Sequence, residues 1–226
     1  MSHIKRIINK DLKMVRDLKL EDQGIYLHYD DNNILNMTAY IFAPNDSIYR
    51  YGILTFEIIF PNDYPFSPPK LKYISRSNIR IHPNFYVNGK VCLSILGTWQ
   101  GPKWKPVMDI SSILLSIQSL LDNNPLCNEP GYNTITNTHK IYNIAIRYEV
   151  LKTLLFINNF KNIPESILNK IKKYLLDNKD NIIKEINILN NNKNNKKYNI
   201  NIYRINIDIN YNNLKEELSN QYLNLI

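Results

Sequence analysis

Two cysteines occur in the 226 residues, Cys92 and Cys127, and only one has neighbours that suggest work for its sulfur. Cys92 stands ten positions beyond His82 in the run His82-Pro83-Asn84-Phe85-Tyr86-Val87-Asn88-Gly89-Lys90-Val91-Cys92-Leu93. A thiolate is a strong nucleophile and a good acyl carrier. His82 could act as its base, as in a cysteine hydrolase, or could brace the loop. The neutral amide of Asn84 is a donor of the kind that steadies a developing oxyanion, and it could also brace the loop by bonding backbone groups. An intracellular cysteine without such company is more often a small buried apolar residue, which is the reading for Cys127 beside Pro125 and Leu126. Four scattered histidines and two cysteines offer no metal-ligand spacing, so no metal is expected.

The elements that must position these groups can be read from periodicity. From Ser2 to about Leu18, Ile4, Ile7, Ile8, Leu12, Val15 and Leu18 recur at spacings of three and four, which predicts an amphipathic helix with Lys5, Arg6, Lys10 and Lys13 opposite. Leu35, Met37, Ala39 and Ile41, then Leu54, Phe56, Ile58 and Phe60, repeat every second residue on either side of the turn Ala43-Pro44-Asn45-Asp46-Ser47. They predict antiparallel strands, extended by a short strand near Leu71 to Ile74. The segment from Asn62 to Pro69 holds Pro65, Pro68 and Pro69 and must be a stiff loop carrying Phe66. Between about Arg80 and Pro106 the glycines and prolines are too frequent for a long regular element, which predicts a functional loop. Asp109 is placed to cap a helix through Ile110, Ile113, Leu114, Ile117, Leu120 and Leu121, and another runs from about Thr136 to Leu154.

Composition shifts thereafter. Ile167, Leu168, Ile171 and Leu175 keep helical spacing, and the run Asn190 to Asn195, with Lys193, Lys196 and Lys197, reads as a disordered insertion. Ile200, Ile202, Ile205, Ile207 and Ile209 form a strand-like stretch with one change of phase, and Leu214, Leu218, Leu223 and Leu225 predict a final helix.

Taken together, the His-Pro-Asn tripeptide, the cysteine ten positions beyond its histidine and the Tyr-Pro-x-x-Pro-Pro loop at Tyr64 to Pro69 resemble the ubiquitin-conjugating enzyme family. The stretch from Cys92 to Trp104 and the sequence Asn128-Glu129-Pro130-Gly131 look most like its Z-type branch, whose members carry a C-terminal extension. The resemblance implies an α+β fold: an N-terminal helix, a four-stranded antiparallel meander, a long active-site loop, then helices. It implies a catalytic core over residues 1–154 and an extension over 155–226 with an Asn/Lys-rich insertion near 190–199. It further implies that Cys92 takes ubiquitin, or a ubiquitin-like modifier, from an activating enzyme as a thioester and passes it to a substrate lysine. By the same resemblance Asn84 supports the oxyanion, Ser94 and Glu129 lie at the catalytic rim, and His82 with Pro83 braces the loop. Many members carry Asp where Ser94 stands, which makes Glu129 the stronger candidate for steering the amine. Lys5 and Arg6 resemble the face that meets the activating enzyme, and Pro65, Phe66 and Pro106 the surface that meets ligases. No bound cofactor is implied, since ATP is consumed by the activating enzyme. The alternative is a non-catalytic modifier-binding scaffold of the same fold.

Composition sets the remaining bounds. A 44% hydrophobic content supports a real core without disulfides. The two cysteines and the absence of signal-peptide patterning near Met1 predict a reducing setting, cytoplasmic or nuclear. No apolar run approaches membrane-span length, so no membrane association is expected. The net charge of +8 is spread along the chain rather than gathered in a block, which argues against a nucleic-acid partner.

Overall fold

The computed structural model describes residues 3–156, 160, 163–192 and 195–223; Ser2, Lys193 and Leu225, named in the patterns above, fall outside them. The chain forms two compact units, one made of Met1–Ala43, Ile53–Ser75 and His82–Leu121, the other of Pro44–Gly52, Arg76–Ile81 and Asp122–Ile226.

The first unit opens with the expected amphipathic helix, in which α1 (His3–Arg6) runs through a π turn (Ile7–Asp11) into α2 (Leu12–Asp17). Ile7 and Leu12 are buried, and so is Asp11, which follows Ile7 by four residues and therefore falls on the apolar face. A buried carboxylate needs partners. Arg6 Nη1 donates to its Oδ2 at 2.7 Å, and the Ile110 N–H and the Tyr64 hydroxyl both donate to its Oδ1. Asp11 thus ties the helix to the proline-rich loop and to the start of the helix at Ile110.

Four strands follow as an antiparallel meander in sequence order: β1 (Ile25–Asp30), β2 (Asn33–Phe42), β3 (Ile53–Ile59) and β4 (Lys70–Tyr73). The period-two runs correspond to β2 and β3. β1 is an edge strand with only Ile25 buried, so it shows no apolar alternation. Ala39 pairs with Phe56 and Phe56 with Tyr73 across the sheet, and the Phe56 ring meets Tyr73 at 5.4 Å and Phe85 at 5.2 Å. Asp109 caps α3 (Ile110–Ser119) by accepting the Ser111 N–H at 3.0 Å, and the helix buries Ile110, Ile113, Leu114 and Ile117.

The second unit contains α4 (Asn137–Thr153), α5 (Glu165–Asp177), α6 (Lys179–Asn191) and α7 (Tyr211–Leu223), with a hairpin of β5 (Lys197–Ile200) and β6 (Ile205–Asp208). The isoleucine-rich stretch is not one strand: its change of phase is the turn Ile202–Arg204 between β5 and β6. The asparagine run expected to be disordered is ordered in its described part. Asn190 and Asn191 end α6, Asn195 Nδ2 donates to Asn190 Oδ1 at 2.5 Å, and Asn195 Oδ1 accepts the Tyr211 N–H at 2.9 Å. An amide carries both donors and an acceptor, so neighbouring asparagines can satisfy each other and a helix start, which composition alone does not reveal.

Glu185 on α6 anchors this unit. Arg50 grips it through two bonds, Nε to Oε2 at 2.7 Å and Nη2 to Oε1 at 2.5 Å, and Arg147 Nε donates to Oε1 at 2.6 Å. The Arg147 Nη1 also donates to the Ile48 and Arg50 carbonyls. Among the described residues no helix is long and apolar enough to cross a membrane.

Two predictions follow from these buried charges. Replacing Glu185 with alanine leaves two arginines facing an empty site and should cost about 3–5 kcal/mol in denaturant unfolding. At Asp11, burial pushes the carboxyl above the ordinary carboxylate range, with Asp109 adding to it and the bonds from Tyr64 and Ile110 and the charge of Arg6 opposing it. The folded chain therefore keeps that proton to higher pH than the unfolded chain does. The stabilisation is complete below the ordinary value of 3.8 and is lost as pH rises through the folded value. Asn cannot ionise, so the stability of the parent relative to Asp11→Asn should fall as pH is raised from about 3 to about 7.

Candidate active site

In the first unit the ten-residue spacing between His82 and Cys92 is a chain reversal. Gly89 N–H bonds the Tyr86 carbonyl and Tyr86 N–H the Lys90 carbonyl, closing a turn through Val87-Asn88 that Gly89 completes. Gly89 has φ +94°, and a side chain there would meet Lys72 Cγ at 2.8 Å and the Tyr73 carbonyl at 3.2 Å, so only glycine suits the turn. The reversal sets Cys92 opposite Asn84. The Cys92 N–H donates to the Asn84 carbonyl at 2.9 Å, and Asn84 Nδ2 donates to the Cys92 carbonyl at 2.7 Å.

His82 is fully buried and both ring nitrogens are engaged. Its Nδ1 accepts the Asn84 N–H at 2.9 Å, which leaves the proton on Nε2 to be donated to the Leu120 carbonyl at 3.0 Å. The ring also stacks on Phe85 at 4.6 Å. A histidine so committed is not a base for Cys92. Pro83 is buried beside it. Asn84 is 5% exposed, and its Oδ1 is buried without a hydrogen-bond partner among the described residues.

Cys92 is 1% exposed, while Cys127 in the second unit is half-buried. Ser94 opens a short 3-10 turn, Ser94–Leu96. The chain then forms a strap that is pinned twice. At its start Thr98 Oγ1 accepts the Leu93 N–H at 2.9 Å and donates towards the Val91 and Leu93 carbonyls. At its end Trp104 Nε1 donates to the Pro65 carbonyl at 2.7 Å. Midway, Gly101 lies against Ser94: a Cβ there would come within 2.9 Å of Ser94 Cβ and 3.3 Å of its Oγ.

The proline-rich loop is held at Tyr64 by Asp11 and at Pro65 by Trp104, and it presents Phe66 at 78% exposure. Pro106 is exposed and Val107 beside it is 70% exposed. Lys5 lies on the exposed side of α1. Arg6 does not share that placement. Its side chain is 11% exposed, and its guanidinium bonds Asp11 and, at 2.7 Å, the Met108 carbonyl.

Glu129 belongs to the second unit, just beyond a 3-10 turn, Pro125–Asn128. Its Oε2 accepts the Tyr203 hydroxyl at 2.5 Å and lies 3.7 Å from Arg80 Nη2. Sequence reasoning passed over Thr98, Asp11 and Tyr203. Asp11 was signalled by a carboxylate on an apolar helix face; Tyr203 carries no local signal, because its partner Glu129 lies 74 positions away in sequence, and Thr98, whose partners are five and seven residues away, sits in an irregular loop where no periodicity marks it.

A model of the ubiquitin-conjugating enzyme family matches residues 7–147. The chain is 38% identical over 176 residues to ubiquitin-conjugating enzyme E2 Z of Danio rerio, covering 74% of this chain and 54% of that protein. It is 42% identical over 149 residues to the Homo sapiens protein of the same name, covering 62% and 42%. It is 34% identical over 194 residues to probable ubiquitin-conjugating enzyme protein 17 of Caenorhabditis elegans, covering 80% and 26%. The Z-type resemblance read from the sequence is thus shared with named relatives, and the chain spans about half the length of the first of them or less.

Reactivity of a thiol depends on access as well as ionisation. Alkylation by iodoacetamide of the uncharged protein should therefore label Cys127 ahead of Cys92, as read by peptide mass spectrometry.

Proposed function

The chain belongs to the ubiquitin-conjugating enzyme family, and from that premise we propose that it carries ubiquitin, or a ubiquitin-like modifier, as a thioester on Cys92 and delivers it to lysine. The observation that carries this reading is the pairing of Asn84 with Cys92, set within a family match that spans both.

The chemistry asks little of neighbouring bases. The Cys92 thiolate attacks the thioester carbonyl on the activating enzyme, a new C–S bond forms, and the activating enzyme's thiolate leaves. One thioester replaces another, so the exchange is nearly balanced. ATP is used upstream by the activating enzyme. A substrate amine then attacks the Cys92 thioester, the carbonyl oxygen takes negative charge, and the intermediate collapses to an isopeptide bond with departure of the Cys92 thiolate.

Asn84 is suited to the oxyanion because its Nδ2 carries two hydrogens, and the bond to the Cys92 carbonyl uses one. A neutral amide held by the loop needs no reorganisation as the charge develops. His82 acts through Asn84, by holding its backbone. The attacking lysine has an ordinary pKa near 10.4 and must shed its proton. Glu129 is the carboxylate assigned to that amine, and Ser94, under the strap, is the second rim position. Phe66, Pro65 and Pro106 offer an apolar surface for a ligase, and Lys5 a basic contact for the activating enzyme. Arg6, committed within its own unit, contributes to that contact by shaping the helix.

Incubation with ubiquitin-activating enzyme, ubiquitin and ATP should produce an adduct that disappears on thiol reduction. Cys92→Ala should abolish it and Cys127→Ala should leave it unchanged. Undiminished adduct on the Cys92→Ala variant would sink the proposal, and parallel reactions with other ubiquitin-like modifiers would show which is preferred.

A further inference from the structure

The turn of the C-terminal hairpin makes a connection that neither its composition nor its strand pairing requires. Ile200 pairs with Ile205, and in the intervening turn Tyr203 and Arg204 adopt φ of 56° and 51°. Left-handed backbone is unfavourable for residues with a side chain, and consecutive examples persist only where the surroundings impose them. Here those surroundings are the ring and hydroxyl of Tyr203. The Arg80 guanidinium lies 4.3 Å from the ring centroid, and the Tyr142 ring meets it edge-on at 6.2 Å. Tyr142 in turn donates its hydroxyl to the Arg80 carbonyl at 3.3 Å. Burial first, and then the bond to Glu129, pushes the Tyr203 hydroxyl far above the ordinary tyrosine range, so it remains a donor at any working pH.

All of this converges on one oxygen. The Tyr203 hydroxyl and Arg80 Nη2 both approach Glu129 Oε2. Glu129 Oε1 takes no hydrogen bond from the described residues, and the side chain is 26% exposed. The carboxylate is therefore clamped through one oxygen and left with the other.

We propose that Tyr203, supplied by the C-terminal extension, is a positioning residue for Glu129, holding Oε2 together with Arg80 so that Oε1 is offered to the incoming lysine amine. The inference rests on the reading of Glu129 given under the proposed function. It gives the extension a task in the transfer step and none in the charging step, because thioester exchange on Cys92 involves no amine.

The experiment separates the two steps in the full chain. Tyr203→Phe keeps the ring over Arg80 and against Tyr142 and removes only the donor to Glu129. Each variant is charged with ubiquitin, and discharge to free lysine is then followed against lysine concentration. Charging should stay within about twofold of the parent, which also reports an intact fold, while discharge should slow by about tenfold, as expected on losing a hydrogen bond to a charged group. The loss should fall on half-saturation for lysine, and Glu129→Gln combined with Tyr203→Phe should be no slower than Glu129→Gln alone. If Glu129→Gln slows discharge and Tyr203→Phe does not, the positioning role is overturned. It is also overturned if Tyr203→Phe lowers charging and discharge together, or if the double variant shows multiplied losses. If Glu129→Gln discharges at the parental rate, the reading of Glu129 itself fails and the inference falls with it.

Discussion

Everything proposed for Cys92 depends on the two hydrogen bonds that join it to Asn84 across a chain reversal. One is backbone to backbone and the other runs from the Asn84 amide to the Cys92 carbonyl. Together they fix the thiol-bearing residue to the residue whose amide would meet an oxyanion. The turn that makes the reversal needs a glycine at Gly89, because the chain there runs against Lys72 and Tyr73. The start of the reversal is held by His82, whose two ring nitrogens bridge the Asn84 N–H to the end of α3. A histidine near a cysteine invites an acid–base reading; the hydrogen-bond geometry assigns it a mechanical one.

Each unit is organised around a buried acid. In the first, Asp11 gathers Arg6, Tyr64 and the start of α3, and so links the N-terminal helix to the loop that presents Phe66. In the second, Glu185 is gripped by Arg50 and Arg147, which tie α6 to α4 and to the segment around Ile48. Such pairs are a weak source of net stability compared with an apolar core of the same volume. Their effect is directional, since a charge buried in this way tolerates few arrangements of its partners, and the loops that carry the exposed residues inherit that definition.

Much of the layout was legible in the sequence. The N-terminal helix, β2, β3, α3 with its Asp109 cap, α4 and the last helix follow from periods of 3.6 and 2 and from a capping residue. The motif from His82 to Cys92 pointed to the family. Three expectations changed. Arg6 left the basic outer face, because its neighbour Asp11 needed a cation in the interior. The isoleucine stretch became a hairpin, because its phase change was a turn. The asparagine run, in its described part, proved ordered through amide-to-amide bonds.

The sequence by itself determined which residues could do chemistry and roughly which elements would carry them, because residue type, spacing and periodicity are local properties. Only the tertiary structure decided what each side chain faces. It committed both ring nitrogens of His82 to backbone groups, placed Gly101 of the strap against Ser94, and brought Tyr203 of the extension to Glu129, 74 positions earlier in the chain. The reason is physical: a hydrogen bond or a charge pair is set by distance in space, and residues so far apart in sequence reveal no such distance until the chain between them has folded.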